Sequence, residues 1–293
     1  MRPRLRKTLN LGLTAAARLK RAALGDRLRL SQHPRLLALY DGLVRLGRAE
    51  EVEVHGHRLR LDPLDSMHLS LHGSYEQGET RFVQRSLQPG DVVFDVGAHV
   101  GYFTLLFARA VGPSGQVFAF EPHPDNRRLL AHNLATNGYP GVRVSPAAVS
   151  AADGHATLYA SLENTGDNAL HGRGPGFTVE TRALDGYLEH ARGKRVFLKL
   201  DTQGHELDVF AGARALFAAA AEVTVLFEFW PHGLRQAGRD PREVFEVQAE
   251  LGCTGHTLSD AGELLPLDPE RLLAELEGEQ FTSVVWTRAV AAR

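Results

Sequence analysis

Three short segments of this chain have the residue types and positions that could do chemistry. The first, 95–101, reads Asp-Val-Gly-Ala-His-Val-Gly, the second ends at Glu121, and the third begins at Asp201. Each follows a run rich in Val, Phe and Leu that is typical of a buried strand. Because parallel strands bind ligands beyond their carboxyl ends, we expect Asp95, Glu121 and Asp201 to face one site.

The first segment predicts a loop that approaches a ligand closely. Gly97 lets the backbone turn tightly, Gly101 permits close packing at the start of a helix, and free N–H groups there favour an anionic group. The spacing Gly-x-x-x-Gly differs from the Gly-x-Gly-x-x-Gly of dinucleotide-binding proteins, which disfavours a nicotinamide-dependent dehydrogenase. Asp95 would repel a pyrophosphate, but it can accept a hydrogen bond from an ammonium group.

The acidic residue that ends the second strand completes the prediction of a cofactor. Glu121 can accept both hydroxyls of a ribose, so the loop and Glu121 together point to S-adenosylmethionine. The adenine is expected at the end of the third strand. The predicted cofactor-binding residues are Asp95, Gly97, Ala98, His99, Gly101, Tyr102, Glu121, Pro122, Ala148, Val149 and Asp201.

Taken in order, these segments resemble the FkbM-type S-adenosylmethionine-dependent methyltransferases. The similarity is carried by residues 95–103, 120–124 and 197–207, with further short matches at 73–76 and 281–285, and it covers about 52–288. The resemblance implies methyl transfer to a hydroxyl of a sugar, glycolipid or polyketide acceptor. The family commonly has a glutamate where this chain has Gln203, so a role that needs a charge there is in doubt.

Methyl transfer to an alcohol requires alignment and a base. The positive charge of the cofactor disappears in the displacement, so no oxyanion hole is needed and alignment supplies much of the rate gain. A positioned base should contribute roughly 10²–10⁴-fold. We predict that Asp201 is this base; the alternative is that it caps the next helix or orients the cofactor. His205 is the second candidate base, with Asp201 or Glu206 orienting its imidazole.

Residues for the acceptor are predicted at the same edge of the sheet. Glu228 ends a later apolar run and precedes Trp230, which suits a polyhydroxylated acceptor, although aromatic residues at strand ends also belong to cores. The loop 164–168 either folds over a ligand or is a plain surface loop. The predicted substrate-binding residues are Tyr75, Glu76, Asn168, Glu206, Glu228 and Trp230.

Composition limits the class of protein. The chain has 293 residues, 43% of them hydrophobic, one cysteine and a formal net charge of −2, which fits a globular protein without a disulfide framework. Residues 51–293 are acidic, which disfavours nucleic acid as a partner. The chain also lacks an Asn/Asp-Pro-Pro-Tyr segment after the predicted strand 195–200, which disfavours a methyltransferase of DNA bases. No metal is predicted, because the histidines at 55, 57, 68 and 72 lack carboxylate or cysteine ligands at suitable spacing.

The N-terminal residues 1–50 form a basic arm. They contain twelve Arg or Lys against three acidic residues, a net of +9, which leaves −11 for 51–293. The composition of the arm predicts a basic helix that contacts an anionic membrane or a partner. The alternative is a solvated leader. A secretory signal is disfavoured, because basic residues directly follow its short apolar part. We expect a cytoplasmic protein, with peripheral contact at the inner face of the membrane as a hypothesis.

The elements that must position these residues alternate between strand and helix. Strands are predicted at 92–96, 116–120, 142–149, 156–160, 177–182, 195–200, 223–229 and 281–287, and helices at 102–111, 124–137, 205–221 and 241–251. This order predicts an α/β fold: one Rossmann-like doubly wound sheet of the class I methyltransferase type, mostly parallel with an antiparallel last strand. The expected domains are a helical arm (1–50), a β-hairpin with lead-in (51–80) and a cofactor-binding domain (81–293). A non-catalytic protein of the same fold is the alternative, and the intact acidic and glycine residues argue against it.

Overall fold

A computed structural model of the protein describes residues 49–160, 165–166, 168–172 and 175–289. The chain divides into two compact units, with the boundary between Tyr75 and Glu76. The predicted arm lies outside the described residues except for its last two positions, so its membrane contact stays a prediction. Within the described ranges, no helix is long and apolar enough to cross a membrane.

The first unit contains the predicted hairpin, which is confirmed. Strand β1 (Glu51–Val54) pairs antiparallel with β2 (His57–Arg60), and both turn residues between them have positive φ. A short helix, α1 (Leu69–His72), follows. Its first N–H groups are held by Asp65, whose carboxylate accepts from the backbone of Leu69 and Ser70 at 3.0 and 3.1 Å.

The second unit carries the remaining elements. Its strands are β3 (Val92–Val96), β4 (Gln116–Phe120), β5 (Arg143–Ser145), β6 (Ala148–Val149), β7 (Gly154–Tyr159), β8 (Gly176–Arg182), β9 (Arg195–Leu200), β10 (Glu222–Phe229), β11 (Thr254–Leu258), β12 (Leu264–Pro266) and β13 (Thr282–Ala289). Its helices are α2 (Gln77–Ser86), α3 (Tyr102–Val111), α4 (Pro124–Thr136), α5 (Leu188–Ala191), α6 (Glu206–Ala211), α7 (Arg214–Ala219), α8 (Pro231–Gln236), α9 (Glu243–Glu250) and α10 (Pro269–Glu275), and a 3₁₀ turn spans Leu184–Tyr187.

The main sheet has eight strands in the order β12-β11-β13-β10-β9-β3-β4-β5. The five strands from β10 to β5 are parallel, and β13 runs antiparallel to β10. The chain proceeds outward from β3 to β5 and then adds β9 on the other side of β3. Strand order therefore reverses between β3 and β9, which is where sheets of this kind bind ligands. The predicted α/β fold, mostly parallel with an antiparallel last strand, is confirmed.

Two details of the predicted architecture are corrected. The predicted strand 142–149 is interrupted at Pro146, which has no N–H for a sheet ladder. Its second half, β6, joins β7 and β8 in a separate three-stranded sheet, so the second unit does not hold one sheet alone. The predicted helix 205–221 is divided into α6 and α7 at Gly212, a residue that disfavours a helix interior by about 1 kcal/mol relative to alanine.

Aromatic packing fixes the part of the sheet that bears the acidic strand ends. Trp286 of β13, Phe210 of α6 and Phe227 of β10 contact one another, with ring centroids 4.4, 5.0 and 5.5 Å apart. All three side chains are fully buried, and each such burial contributes about 1.5–3 kcal/mol. The carboxyl end of β10 is therefore held firmly against its neighbours.

Candidate active site

The tips of β3 and β9 touch where the strand order reverses. The Asp201 N–H donates to the Val96 carbonyl at 3.0 Å. A Cβ added to Gly97, whose φ is 82°, would lie 2.2 Å from the Asp201 carbonyl oxygen. A side chain is therefore excluded both by the positive φ and by the close approach. The predicted tight turn at Gly97 is confirmed, and it joins the first and third segments.

Asp95 is buried directly below this turn. Its Oδ2 accepts a hydrogen bond from the Thr104 hydroxyl at 2.5 Å, which ties the end of β3 to α3. Burial raises the pKa of Asp95 to about 6, while the Lys199 ammonium and the Thr104 hydroxyl act in the opposite direction. The predicted contact of Asp95 with an ammonium group of the cofactor stays a prediction.

Glu121 ends β4 with a carboxylate that two backbone groups hold in place. Its Oε2 accepts from the His99 N–H and its Oε1 from the His123 N–H, each at 2.8 Å. Burial raises the pKa of Glu121 to about 7 against these two N–H groups. Because a carboxylate oxygen can accept more than one hydrogen bond, each oxygen has capacity left. The two acceptor oxygens of Glu121 therefore fit the two adjacent hydroxyls of a ribose.

The loop predicted at 164–168 is described only in part, since 164 and 167 lie outside the described residues. The Thr165 hydroxyl is 2.9 Å from Nε2 of His99, and the Thr165 carbonyl accepts from the side chains of Asn126 and Asn168. The described part of this loop therefore lies over the glycine loop and is not a plain surface loop. A substrate contact of Asn168 stays a prediction.

The other predicted cofactor residues lie in several elements of the second unit. The Ala98 N–H donates to the Phe120 carbonyl at 3.1 Å. Gly101 is the N-terminal cap of α3, and the Tyr102 hydroxyl lies 3.1 Å from that of Thr80. The Pro122 carbonyl accepts from Arg127. Ala148 and Val149 are buried in β6, which places them in the smaller sheet.

Asp201 is partly exposed, and two side chains orient its carboxylate. Nε2 of Gln203 donates to Oδ1 at 2.9 Å, and Nζ of Lys199 lies 3.6 Å from Oδ2. Gln203 has a φ of 52°, which turns the chain back toward the strand end. Gln203 is thus a neutral donor to Asp201. The glutamate that the family commonly has at this position would place a second negative charge beside Asp201.

Lys199 is a central residue that the sequence analysis did not single out. Its side chain is buried, its Nζ lies 4.7 Å from the centre of the Phe103 ring, and only 5% of the residue is exposed. Burial lowers the pKa of the ammonium, but Asp201, Glu76 and Asp95 surround it with negative charge and the net shift is upward. The available signal was a lysine within the apolar run of β9.

His205 occupies a different hydrogen-bond network from the one expected. Its Nε2 lies 3.2 Å from the Ser150 hydroxyl and its Nδ1 lies 3.2 Å from Asp208. The carboxylate that orients the imidazole is therefore Asp208, and the expectation of Asp201 or Glu206 was wrong. Burial lowers the pKa of His205, which favours the neutral ring.

Glu206 faces the loop that precedes it. Its Oε1 accepts from the Gly204 N–H at 3.0 Å and from the Thr202 hydroxyl at 2.9 Å. Burial raises its pKa to about 6. These contacts stabilise the turn that carries Asp201, and a contact between Glu206 and a substrate stays a prediction.

A small inner cavity of about 10 Å³ brings several acidic side chains together at this edge. Its lining includes Glu76, Glu79, Lys199, Asp201, Glu228 and Ser283. The predicted Glu76 and Glu228 thus lie with Asp201, whereas Glu79, which hydrogen-bonds to Ser283, was not foreseen. Burial and the negative charges of Asp201 and Glu76 raise the pKa of Glu228 to about 9.

Two further predicted acceptor residues have other surroundings. Tyr75 belongs to the first unit. Trp230 is the cap residue of α8, and its ring lies against Gly233. In the described part of the chain, no group of three or more His, Cys, Asp or Glu side chains could hold a metal ion.

A family model agrees with this geometry. The model described as the methyltransferase FkbM domain matches residues 95–252, which is more than half of the chain. The matched region contains the tips of β3, β4, β9 and β10, and therefore Asp95, Glu121, Asp201 and Glu228.

Two curated relatives match over short segments. The 31-O-demethyl-FK506 methyltransferase FkbM of Streptomyces tacrolimicus is 48% identical over 64 residues, which is 22% of this chain and 24% of that protein. The protein-L-isoaspartate O-methyltransferase of Aeropyrum pernix is 46% identical over 55 residues, 19% of this chain and 21% of that protein. The matches thus span less than a quarter of either relative.

Solved structures provide a third comparison. A methyltransferase from Streptococcus mutans, in complex with SAH, is 8% identical to this chain with a TM-score of 0.42. The alignment covers 71% of this chain and 94% of that one.

Proposed function

The chain belongs to the FkbM family of S-adenosylmethionine-dependent methyltransferases, and from this premise we propose that it methylates a hydroxyl oxygen of a sugar, glycolipid or polyketide-type acceptor. The observation that carries the proposal is the position of Asp201. This carboxylate is partly exposed, is oriented by Gln203 and Lys199, and lines a cavity at the carboxyl ends of β9 and β10. A base in that place suits a hydroxyl acceptor.

The residues of β3 and β4 would hold the cofactor, which supplies an electrophilic methyl group when bound. Glu121 would accept the ribose hydroxyls, because His99 and His123 fix its two oxygens and leave each with capacity for a further hydrogen bond. Gly97 would let the backbone approach the cofactor. The acidic residues at this edge complement a positively charged ligand.

Asp201 would accept the proton of the acceptor hydroxyl. The bound cofactor would supply the methyl group in exchange for its sulfonium charge, and the acceptor oxygen would take up that methyl group as its own proton passes to Asp201. The products are a methyl ether and an uncharged thioether, and the proton leaves Asp201 for solvent. Lys199 and Gln203 keep the carboxylate aimed at the cavity, so that little reorganisation is needed during the reaction.

Asp201→Asn tests this assignment. Formation of S-adenosylhomocysteine, measured with a panel of glycosides and macrocyclic alcohols, should fall by about 10²–10⁴-fold because the general base is lost. The affinity for S-adenosylmethionine, measured by calorimetry, should stay within about threefold. His205→Asn is the matched control for the second candidate base and should keep most of the turnover.

Each alternative has its own outcome. Full turnover of Asp201→Asn with loss of turnover in His205→Asn would make His205 the base. Binding of NAD but not of S-adenosylmethionine would overturn the proposed function itself. Binding of S-adenosylmethionine without methylation of any acceptor in the panel would support the non-catalytic alternative.

A further inference from the structure

A second, larger cavity adjoins the inner one on the side away from β3. Its volume is about 490 Å³, and it shares Glu76, Glu79 and Ser283 with the inner cavity. Arg81, Asp260 and Phe281 line its outer part. The three shared residues thus stand between the outer cavity and the inner one, which Asp201 also lines.

The walls of the outer cavity are fixed by close packing. The start of α2 lies against the turn between β11 and β12, where a Cβ added to Gly78 would meet the Ser259 carbonyl oxygen at 2.6 Å. Arg81 donates to the Asp260 carbonyl at 2.6 Å, and Arg85 donates to the Ala261 carbonyl. The cavity is thus formed before a ligand binds, which lowers the entropic cost of binding.

The lining combines negative charge with one exposed aromatic face. Glu76, Glu79 and Asp260 bring carboxylates, whereas Arg81 directs its guanidinium at the Asp260 carbonyl and the Gln77 side chain. Phe281 is 57% exposed at the cavity. An anionic ligand would meet like charge here, which costs several kcal/mol when the groups are close. A ring with hydroxyls and an apolar face would find acceptors and a packing surface.

We propose that the outer cavity binds the methyl acceptor and that this acceptor is a glycosyl ring without an anionic group. The ring packs on Phe281, its hydroxyls donate to Glu76 and Glu79, and the reacting hydroxyl points through the inner cavity to Asp201. The proposal rests on the proposed function, because it concerns the acceptor of that same reaction. It favours a sugar acceptor and disfavours a polyketide. Among sugars, it favours neutral and amino sugars and disfavours uronic acids and sugar phosphates.

Binding of small glycosides tests the proposal without depending on turnover. The probes are methyl glucoside, methyl 2-amino-glucoside and methyl glucuronide, each added to the full chain saturated with S-adenosylhomocysteine and followed by saturation-transfer NMR. The first two should bind, and the glucuronide should bind at least about tenfold more weakly. Phe281→Ala should weaken binding of methyl glucoside about 5–10-fold through lost ring packing. Leu265→Ala, at another exposed apolar position, on β12, is the matched control and should leave this binding unchanged.

A charge variant tests the electrostatic part separately. Asp260 is exposed, so Asp260→Lys should fold normally and should improve binding of methyl glucuronide relative to methyl glucoside. Equal affinities for the two glycosides in the unaltered protein, no binding of any glycoside, or an unchanged ratio in Asp260→Lys would overturn the proposal. Calorimetry with S-adenosylmethionine distinguishes failure of this inference from failure of the proposed function. Cofactor binding without glycoside binding would overturn only this inference, whereas failure to bind the cofactor would overturn the proposed function.

Discussion

The two sides of the active-site edge hold their carboxylates in different ways. On the cofactor side, formed by the ends of β3 and β4, Asp95 and Glu121 each accept hydrogen bonds from fixed N–H or O–H donors. On the acceptor side, formed by the ends of β9 and β10 with α2, Glu76 and Glu228 gather around one buried ammonium group. The orientation of a hydrogen-bonded carboxylate depends mainly on its own donors, whereas the members of a charge cluster alter one another's pKa.

Lys199 is the residue through which the two sides interact, so its loss should have the largest effect. Lys199→Met removes the only positive charge that the described residues place inside this cluster and leaves its carboxylates uncompensated. The free energy of unfolding should fall by about 3–5 kcal/mol, and the pKa of Asp95 should rise further above about 6, because the cation that favours its ionised form is gone. Denaturant unfolding measures the first effect, and calorimetry of cofactor binding at several pH values measures the second through the affinity that depends on ionised Asp95.

A lysine on the surface provides the control for this variant. Lys194 is exposed in the turn before β9, and Lys194→Met should change stability by less than about 0.5 kcal/mol. If Lys199→Met reduced turnover but left both stability and cofactor affinity unchanged, the ammonium would serve the acceptor side alone and the two sides would be independent.

The sequence predicts the cofactor side better than the acceptor side, for a physical reason. The segment from Asp95 to Gly101 is continuous, and the strands before it and before Glu121 have the predicted bounds, because buried parallel strands are short apolar runs with sharp ends. The acceptor side is assembled from segments far apart in the chain, such as α2 and the start of β13. Glu79 and Phe281 are ordinary residues in their own segments, and only the fold gives them a common cavity.

A change at Glu121 tests the cofactor side alone, and we expect a smaller effect than that of Lys199→Met. In Glu121→Gln an amide N–H₂ would face one of the two backbone N–H donors, so affinity for S-adenosylmethionine should fall about 10–100-fold, the loss expected for hydrogen bonds to a charged group. Because the pKa of Glu121 is raised to about 7, the ionised acceptor of the unaltered protein is lost as the pH falls through 7. Its affinity should therefore be weaker at pH 6 than at pH 8.

The Gln variant supplies the contrast for that pH dependence. Its amide does not titrate, so its affinity should vary less between pH 6 and pH 8 than that of the unaltered protein. If the cofactor affinities of the two proteins, measured by calorimetry, changed in parallel with pH, a group other than Glu121 would control the pH dependence of cofactor binding. Turnover at saturating cofactor should remain substantial, because the acceptor side is intact.

Glu228 tests the acceptor side by the pH dependence of stability alone, and its effect is small near pH 5. Burial and the charges of Asp201 and Glu76 raise its pKa from the ordinary 4.5 to about 9. The folded protein therefore keeps a proton that the unfolded chain releases above about pH 4.5, and this carboxyl lowers stability progressively as the pH rises toward 9. Glu228→Gln removes that dependence, so its advantage in unfolding midpoint should be small at pH 5 and grow by roughly ten degrees or more up to pH 9. Glu279→Gln, at an exposed position, should give a constant difference over the same range. If both variants gave parallel curves, Glu228 would already be ionised at neutral pH, and the charge cluster that distinguishes the acceptor side would not raise its pKa.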